Sequence, residues 1–185
     1  MHATLSSRTS RRAFLSLLGL AVGGPIVLEA QARSVGDVLL VEFSDSGERG
    51  QRVRVPKVVK SEAEWRTQLS RIAFEVTRRH GTESAFTGAY WNLHDKGLFR
   101  CICCDTALFS SAHKFDSGTG WPSFWEVIAK ENVVRHPSRS FVYVESEVTC
   151  VRCDAHLGDL FDDGPRPTGL RYCIDSAALR FVKST

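Results

Sequence analysis

The sequence predicts a mainly β domain of antiparallel strands, with a small helical segment ahead of it and a set of cysteines to pin it. Three observations carry that prediction. From Gly97 onward, short apolar runs (GLFRC, SFVYVESEVTC, HLGDLF, LRYCI, LRFV) alternate with turn clusters such as DSGTG and DDGPRPTG. One stretch alone, Ser61 to Gly81, keeps clear helical spacing. Two C-x-x-C pairs, Cys101/Cys104 and Cys150/Cys153, lie far apart in the chain and suit a metal staple between hairpins.

The elements follow in chain order. Residues 1–32 read as an export signal: a basic head with Arg8, Arg11 and Arg12, an uncharged, mostly apolar run from Ala13 to Leu28, and a small-residue site at Ala30-Gln31-Ala32. The apolar run is short for a membrane span and is interrupted by Gly19, Gly23 and Gly24. Ser10-Arg11-Arg12-Ala13-Phe14-Leu15 resembles a twin-arginine signal, so the expected location is the periplasm, with the membrane met only during export. The formal net charge of +3 comes largely from this segment. The chain from Arg33 is nearly neutral, which speaks against a nucleic-acid surface or a polybasic membrane patch.

Residues 33–60 read as a hairpin or extension, because VGDVLLVEF and QRVRVPKVV alternate apolar and polar residues on either side of SDSGERG. The body is expected over 61–185. Ser61-Glu62-Ala63-Glu64 fits a capping box, and Trp65, Leu69, Ile72 and Val76 recur at helical spacing until Gly81, a natural stop. The composition, 43% hydrophobic and 24% charged, is that of an ordinary globular domain.

The six cysteines admit two readings. Two C-x-x-C turns can direct four thiolates at one structural zinc ion, which would fill its shell. Disulfides are the alternative, since an exported chain meets an oxidising compartment. Export of the folded protein favours the metal, which would be loaded in the reducing cytosol. Cys103 has the wrong spacing to Cys101 for a knuckle and reads as a bystander. Cys173, in TGLRYCIDSAALRF, is left without a partner. A free cysteine on a late strand is by default a small buried hydrophobe; with a histidine, acids and turn glycines upstream, it also has the setting of a nucleophile.

RCICCDTALF, KFDSGTGWPSF, RCDAHLGDLFDDGPRPTG and RYCIDSAALRF, in this order and spacing, resemble the methionine-R-sulfoxide reductases of the B type, and GTESAFTG fits as well. The resemblance spans roughly Glu64 to Phe181 and implies a zinc-bearing antiparallel β-tent with a small N-terminal helix. It makes Cys101, Cys104, Cys150 and Cys153 the ligands of one structural zinc ion and Cys173 the nucleophile. His156 becomes a pocket histidine that delivers a proton, and Trp121 the indole that receives the methyl on the substrate's sulfur. Asp159, Asp175 and Arg171 fall among the substrate-binding positions. The implied partners are oxidised proteins or peptides carrying methionine-R-sulfoxide and a thioredoxin-like thiol donor.

Three positions depart from the family's pattern. Thr119 stands where many relatives carry a cysteine, Asp159 where many have a second pocket histidine, and Asp175 where an asparagine is usual. The two acids bring negative charge toward Cys173 and are expected to raise its pKa. With threonine at position 119 and Cys103 inside a knuckle, recycling of Cys173 is expected to use an external thiol. Two other functions compete: a β-tent zinc enzyme acting on glutathione adducts, and a non-catalytic zinc module that binds a protein partner.

Overall fold

The alternating segment after Gly36 forms a two-stranded ribbon, β1 (Asp37–Phe43) and β2 (Arg49–Pro56), as its apolar/polar period predicts. The computed structural model describes residues 36–137 and 146–184; the expected export signal lies outside them. A buried amide ties the ribbon to the body. Asn132 is fully buried; its Oδ1 accepts from Val41 N, and its Nδ2 donates to the carbonyls of Val41 and Ala107, each at 2.8 Å. Every polar group of that side chain is used inside the core, so the ribbon is anchored to it.

The helical stretch divides into α1 (Glu62–Gln68) and α2 (Arg71–Arg79). Ser61 makes the expected capping box with Glu64. The single expected helix is corrected: Leu69 is extended, and Ser70 caps a second helix by accepting from Ala73 N. The break resets the helical phase. Trp65, Leu69 and Val76 remain buried, but Ile72 turns out to solvent at 48% exposure.

Among the described residues the body holds nine strands, all paired antiparallel. A three-stranded sheet runs in the order β11 (Leu179–Lys183), β3 (Gly97–Cys101), β4 (Ala107–Ser110). A six-stranded sheet runs β5 (Lys114–Phe115), β6 (Ser123–Phe124), β10 (Arg171–Ile174), β9 (His156–Phe161), β8 (Ser146–Cys150), β7 (Val133–Pro137). The long apolar run SFVYVESEVTC is described only from Ser146 onward. Strands β4 to β7 fall in stretches too short or mixed to show a period of two.

Aromatic side chains from both sheets make the centre of the core. Phe99 of β3 meets Phe124 of β6 edge-on at 5.0 Å, and Phe109 of β4 stacks on Phe124 at 4.4 Å and meets Tyr172 of β10 at 5.7 Å. All four are essentially inaccessible to solvent. Burying each contributes about 1.5–3 kcal/mol, so this cluster fixes how the two sheets face each other, and with them the strand that carries Cys173. Among the described residues no helix is long and apolar enough to cross a membrane.

Candidate active site and metal centre

The two C-x-x-C turns are built alike. After Cys104, Asp105 adopts φ 65°, and its N–H donates to the carbonyl of Cys101; after Cys153, Asp154 adopts φ 54°, and its N–H donates to the carbonyl of Cys150. Aspartate tolerates this left-handed turn better than most residues, and it folds each sulfur pair toward a common centre. Strands β3 and β8 end at Cys101 and Cys150, which brings the two turns together.

The four sulfurs lie within 4.8 Å of one another. Cys101 Sγ is 3.6 Å from Cys153 Sγ, and Cys104 Sγ is 3.5 Å from Cys150 Sγ. A disulfide requires about 2.05 Å, so these are not bonded pairs. A tetrahedral ion with metal–sulfur bonds of about 2.3 Å sets sulfurs roughly 3.8 Å apart, close to what is observed. The four cysteines are thus positioned to bind a metal ion. Cys103 lies outside the set and is buried against Arg78, whose Nη2 is 3.5 Å from its sulfur and whose Nη1 donates to the Cys153 carbonyl at 2.7 Å. Gln68 Nε2 donates to the Cys103 carbonyl at 2.8 Å, so both helices seat on the knuckles.

Cys173 stands apart from this cluster, half-buried on β10. The register puts Ser123 of β6 on one side of it and Asp159 of β9 on the other; Asp159 in turn pairs with Glu147 of β8. Directly paired residues in antiparallel strands share a face. One row across the sheet therefore reads Ser123, Cys173, Asp159, Glu147.

His156 joins that row through an irregularity. Between the pairs Val148–Gly158 and Thr149–His156 strand β9 carries one extra residue, Leu157. The bulge brings His156 Nδ1 to 2.7 Å from Glu147 Oε1. Gly158 makes the local geometry possible: it sits at φ 146°, and a Cβ there would lie 2.1 Å from the Cys173 carbonyl oxygen. Only glycine allows β9 this close to β10.

Arg171, two residues before Cys173, grips Asp163 with Nε and Nη2 at 2.7 and 2.8 Å and lies over the Phe161 ring at 4.2 Å. Its guanidinium is thereby fixed beside the thiol. Burial pushes the Cys173 thiol above its ordinary range; the Arg171 charge and a hydrogen bond from the Thr119 hydroxyl pull it back, while Asp175 and Asp159 add to the rise. The expected effect of the two acids is present, but desolvation leads it. Asp159 is itself raised by burial, against the His156 imidazole and with help from Glu147.

The residue of the site that the sequence reading does not single out, although GTESAFTG contains it, is Glu83. It is 6% exposed, and its carboxylate accepts from Ser176 N at 2.6 Å and Ala177 N at 2.9 Å. Its own N–H donates to Asp175 Oδ1 at 2.8 Å, and its carbonyl accepts from the Trp121 indole Nε1 at 3.1 Å. One residue thus ties together the indole, Asp175 and the turn after Cys173. Gly88 makes room for it, since a Cβ there would come within 2.3 Å of Glu83 Oε1. Asp175, 3% exposed, points into this network, and burial drives its pKa to about 7, against the Glu83 N–H and with the Glu83 and Asp159 charges. In the sequence Glu83 shows only as a lone acid in GTES; nothing local marks its partners, which lie more than ninety positions on at Asp175, Ser176 and Ala177.

The structure brings Cys173, Asp159, Arg171, Asp175 and Thr119 within mutual electrostatic reach. It links Trp121 to Asp175 through the backbone of Glu83 and turns the Nδ1 of His156 toward Glu147. A half-buried thiol flanked by acids and an arginine, apart from a four-cysteine cluster positioned to bind a metal ion, defines a thiol-bearing β domain with a candidate metal centre. The chain belongs to the SelR-domain family, whose model matches residues 69–183.

Proteins called peptide methionine sulfoxide reductase MsrB are similar to it. The one from Herminiimonas arsenicoxydans is 51% identical over 125 residues, which cover 68% of this chain and 91% of the relative. That from Synechococcus sp. (strain RCC307) is 52% identical over 128 residues, covering 69% and 94%. The peptide methionine sulfoxide reductase B1, chloroplastic, of Oryza sativa is 52% identical over 125 residues, covering 67% and 58%.

Proposed function

We propose that this protein reduces methionine-R-sulfoxide in oxidised proteins and peptides, with Cys173 as nucleophile. The observation that carries the reading is the row Cys173–Asp159–Glu147, with Arg171 held beside the thiol, in a chain of the SelR-domain family. The relatives named methionine sulfoxide reductase support it.

The Cys173 thiolate, stabilised by Arg171 and the Thr119 hydroxyl, attacks the sulfoxide sulfur. A proton from His156 reaches the sulfoxide oxygen, and that oxygen passes to the cysteine sulfur. Methionine leaves, and Cys173 is oxidised to a sulfenic acid. The methyl on the substrate sulfur packs on Trp121, held in place by the Glu83 carbonyl. A chiral sulfur offers oxygen, methyl and chain in a fixed order, so one epimer fits.

Recycling uses an external dithiol donor of thioredoxin type: its first thiol displaces water from the sulfenic acid, and its second releases Cys173 as the thiol. Thr119 offers no internal thiol, and Cys103 is buried under Arg78.

The metal of the four-cysteine site is zinc in this reading, one ion per chain, in a structural role. Four thiolates at tetrahedral spacing suit a borderline-soft ion with no redox chemistry, and metal analysis of the folded protein checks the count. The basic, apolar and small-residue order of residues 1–32 supports export to the periplasm by the twin-arginine route; cell fractionation checks this with and without Arg11→Lys and Arg12→Lys.

The activity is tested on resolved R and S epimers of a methionine sulfoxide peptide with dithiothreitol as reductant. The R epimer is reduced by the wild type and not by Cys173→Ser. Equal turnover by the two proteins would remove Cys173 from the mechanism, and an inert wild type would favour a glutathione-adduct enzyme or a binding module.

A further inference from the structure

Beside the thiol lies a second group of metal-ligating side chains that the reductase reading does not absorb. His80 comes directly after α2, Glu147 sits on β8, and His156 opens β9. Their ligand atoms, one from each residue, all lie within 4.8 Å of one another. Both imidazole Nδ1 atoms converge on the same carboxylate oxygen, Glu147 Oε1, at 2.8 Å from His80 and 2.7 Å from His156. The two rings stand 5.3 Å apart with their planes at 48°.

We propose that His80, Glu147 and His156 form a second, exchangeable site for a divalent transition-metal ion of the zinc type. Two imidazole nitrogens and one carboxylate oxygen match the three-ligand sets that leave a fourth position open to water. With ligand bonds of about 2.1 Å, a tetrahedral ion sets its ligand atoms roughly 3.4 Å apart. The present N···O spacings therefore open by only about 0.6 Å, which side-chain rotation can supply.

Burial is graded in the way an exchangeable site requires: His156 is 6% exposed, Glu147 half-buried and His80 largely exposed. An ion can enter past His80 and meet a fixed ligand behind it. The surrounding charge favours a cation as well. Asp159 pairs with Glu147 across the β8–β9 ladder, and the Glu147 charge opposes the ionisation of Asp159. A divalent cation between them would relieve that conflict. Binding at Nδ1 leaves each neutral imidazole with its proton on Nε2 and ends both hydrogen bonds to Glu147, so the site competes with the arrangement that fixes His156.

The inference shares His156 with the proposed reaction but does not depend on it, because binding is read apart from turnover. Zinc-loaded full-length protein is titrated with Co2+ and followed by calorimetry and visible absorption. One further ion should bind with the weak bands of nitrogen and oxygen ligands, and Cys173→Ser should bind it equally, which excludes the thiol as the ligand. His80→Ala, an exposed change that leaves the fold intact, should weaken this ion at least roughly tenfold, equivalent to about 1.4 kcal/mol. Glu147→Gln should do the same.

Absence of a further ion in the wild type overturns the proposal. So does a further ion whose affinity neither variant changes, or one that shows sulfur-to-cobalt charge transfer lost in Cys173→Ser. Where the ion binds as expected, slowed wild-type turnover with His80→Ala resistant to it adds support for His156 at the reacting centre. Binding with unchanged turnover confirms the site and counts against that role for His156.

Discussion

Cysteine does opposite work at two places in this molecule. At the knuckles, four sulfurs come within 4.8 Å of one another, and each pair is shaped by its own short turn. On β10 a single sulfur stands among residues from β6, β9 and the Thr119 loop. The first arrangement is positioned to hold a metal ion, and an ion bound there would lower the free energy of the fold. The second raises the energy of its own charged form, since burial and two acids oppose the thiolate that Arg171 and Thr119 support. Loss of a sulfur at the first place should therefore be read in stability, and loss of the sulfur at the second in reactivity.

The largest expected effects separate the two places completely. Cys150→Ser breaks a metal shell whose binding energy is also folding energy, and should lower stability by at least roughly 3 kcal/mol, or about 10 °C in Tm. Thermal unfolding with metal analysis checks it, and retention of both metal and Tm would show the ligand set to be wrong. Cys173→Ser should do the reverse: at least roughly 10³-fold lower turnover with Tm almost unchanged.

Next come the acids around the thiol. Asp175 has its pKa raised to about 7 by burial, so the folded protein keeps a proton that the unfolded chain, near 3.8, has already released. With more protons bound in the folded state, stability is fully present below about pH 4 and falls as pH rises through about 7. Asp175→Asn should therefore gain stability over the wild type at pH 8 but not at pH 4, as read by denaturant unfolding at both pH values. The same change removes a like charge from Cys173, so alkylation of the thiol should begin at lower pH than in the wild type. Asp159→Asn should move alkylation in the same direction. A shift to higher pH would mean that these carboxyls assist the thiolate.

Glu83→Gln should have a smaller, mixed effect. One of its two buried oxygens becomes an amide facing the N–H of Ser176 or Ala177, at a cost of about 1–3 kcal/mol. KM should rise more than kcat falls, because the loop that holds the Trp121 indole shifts. Unchanged KM with unchanged stability would remove Glu83 from the support of the site. The smallest change is Ile72→Ala, expected within about 0.5 kcal/mol because the helix break leaves that side chain in solvent.

These contrasts also explain which features are legible in the chain alone. The knuckles are legible because each is a local pattern: two cysteines, two spacers and an aspartate that accepts a left-handed turn. The hairpin ahead of the body and the Ser61 capping box are legible for the same reason. The helix break is not, because Leu69 and Ser70 keep the apolar period while Ser70 also caps α2.

Around Cys173, family resemblance can name residues, but their mutual arrangement depends on strand register. The bulge at Leu157 sends His156 to Glu147, and neither it nor the long-range bonds of Glu83 leave a local signature. Asp163, which fixes Arg171, is hidden in a stretch whose composition marks only a turn.

The most direct test of the central claim is a single turnover without reductant. Protein lacking residues 1–32, with its metal in place, is mixed with one equivalent of methionine-R-sulfoxide peptide and a dimedone-type trap, then mapped by mass spectrometry. One methionine should form per trapped sulfenic acid, with the adduct on Cys173 alone. Thr119→Cys, whose new thiol replaces the hydroxyl that reaches Cys173, should convert that adduct into a disulfide between positions 119 and 173. A wild-type protein that instead gives a rapid, high-yield Cys103–Cys173 disulfide, or that forms methionine while Cys173 stays reduced, would contradict it.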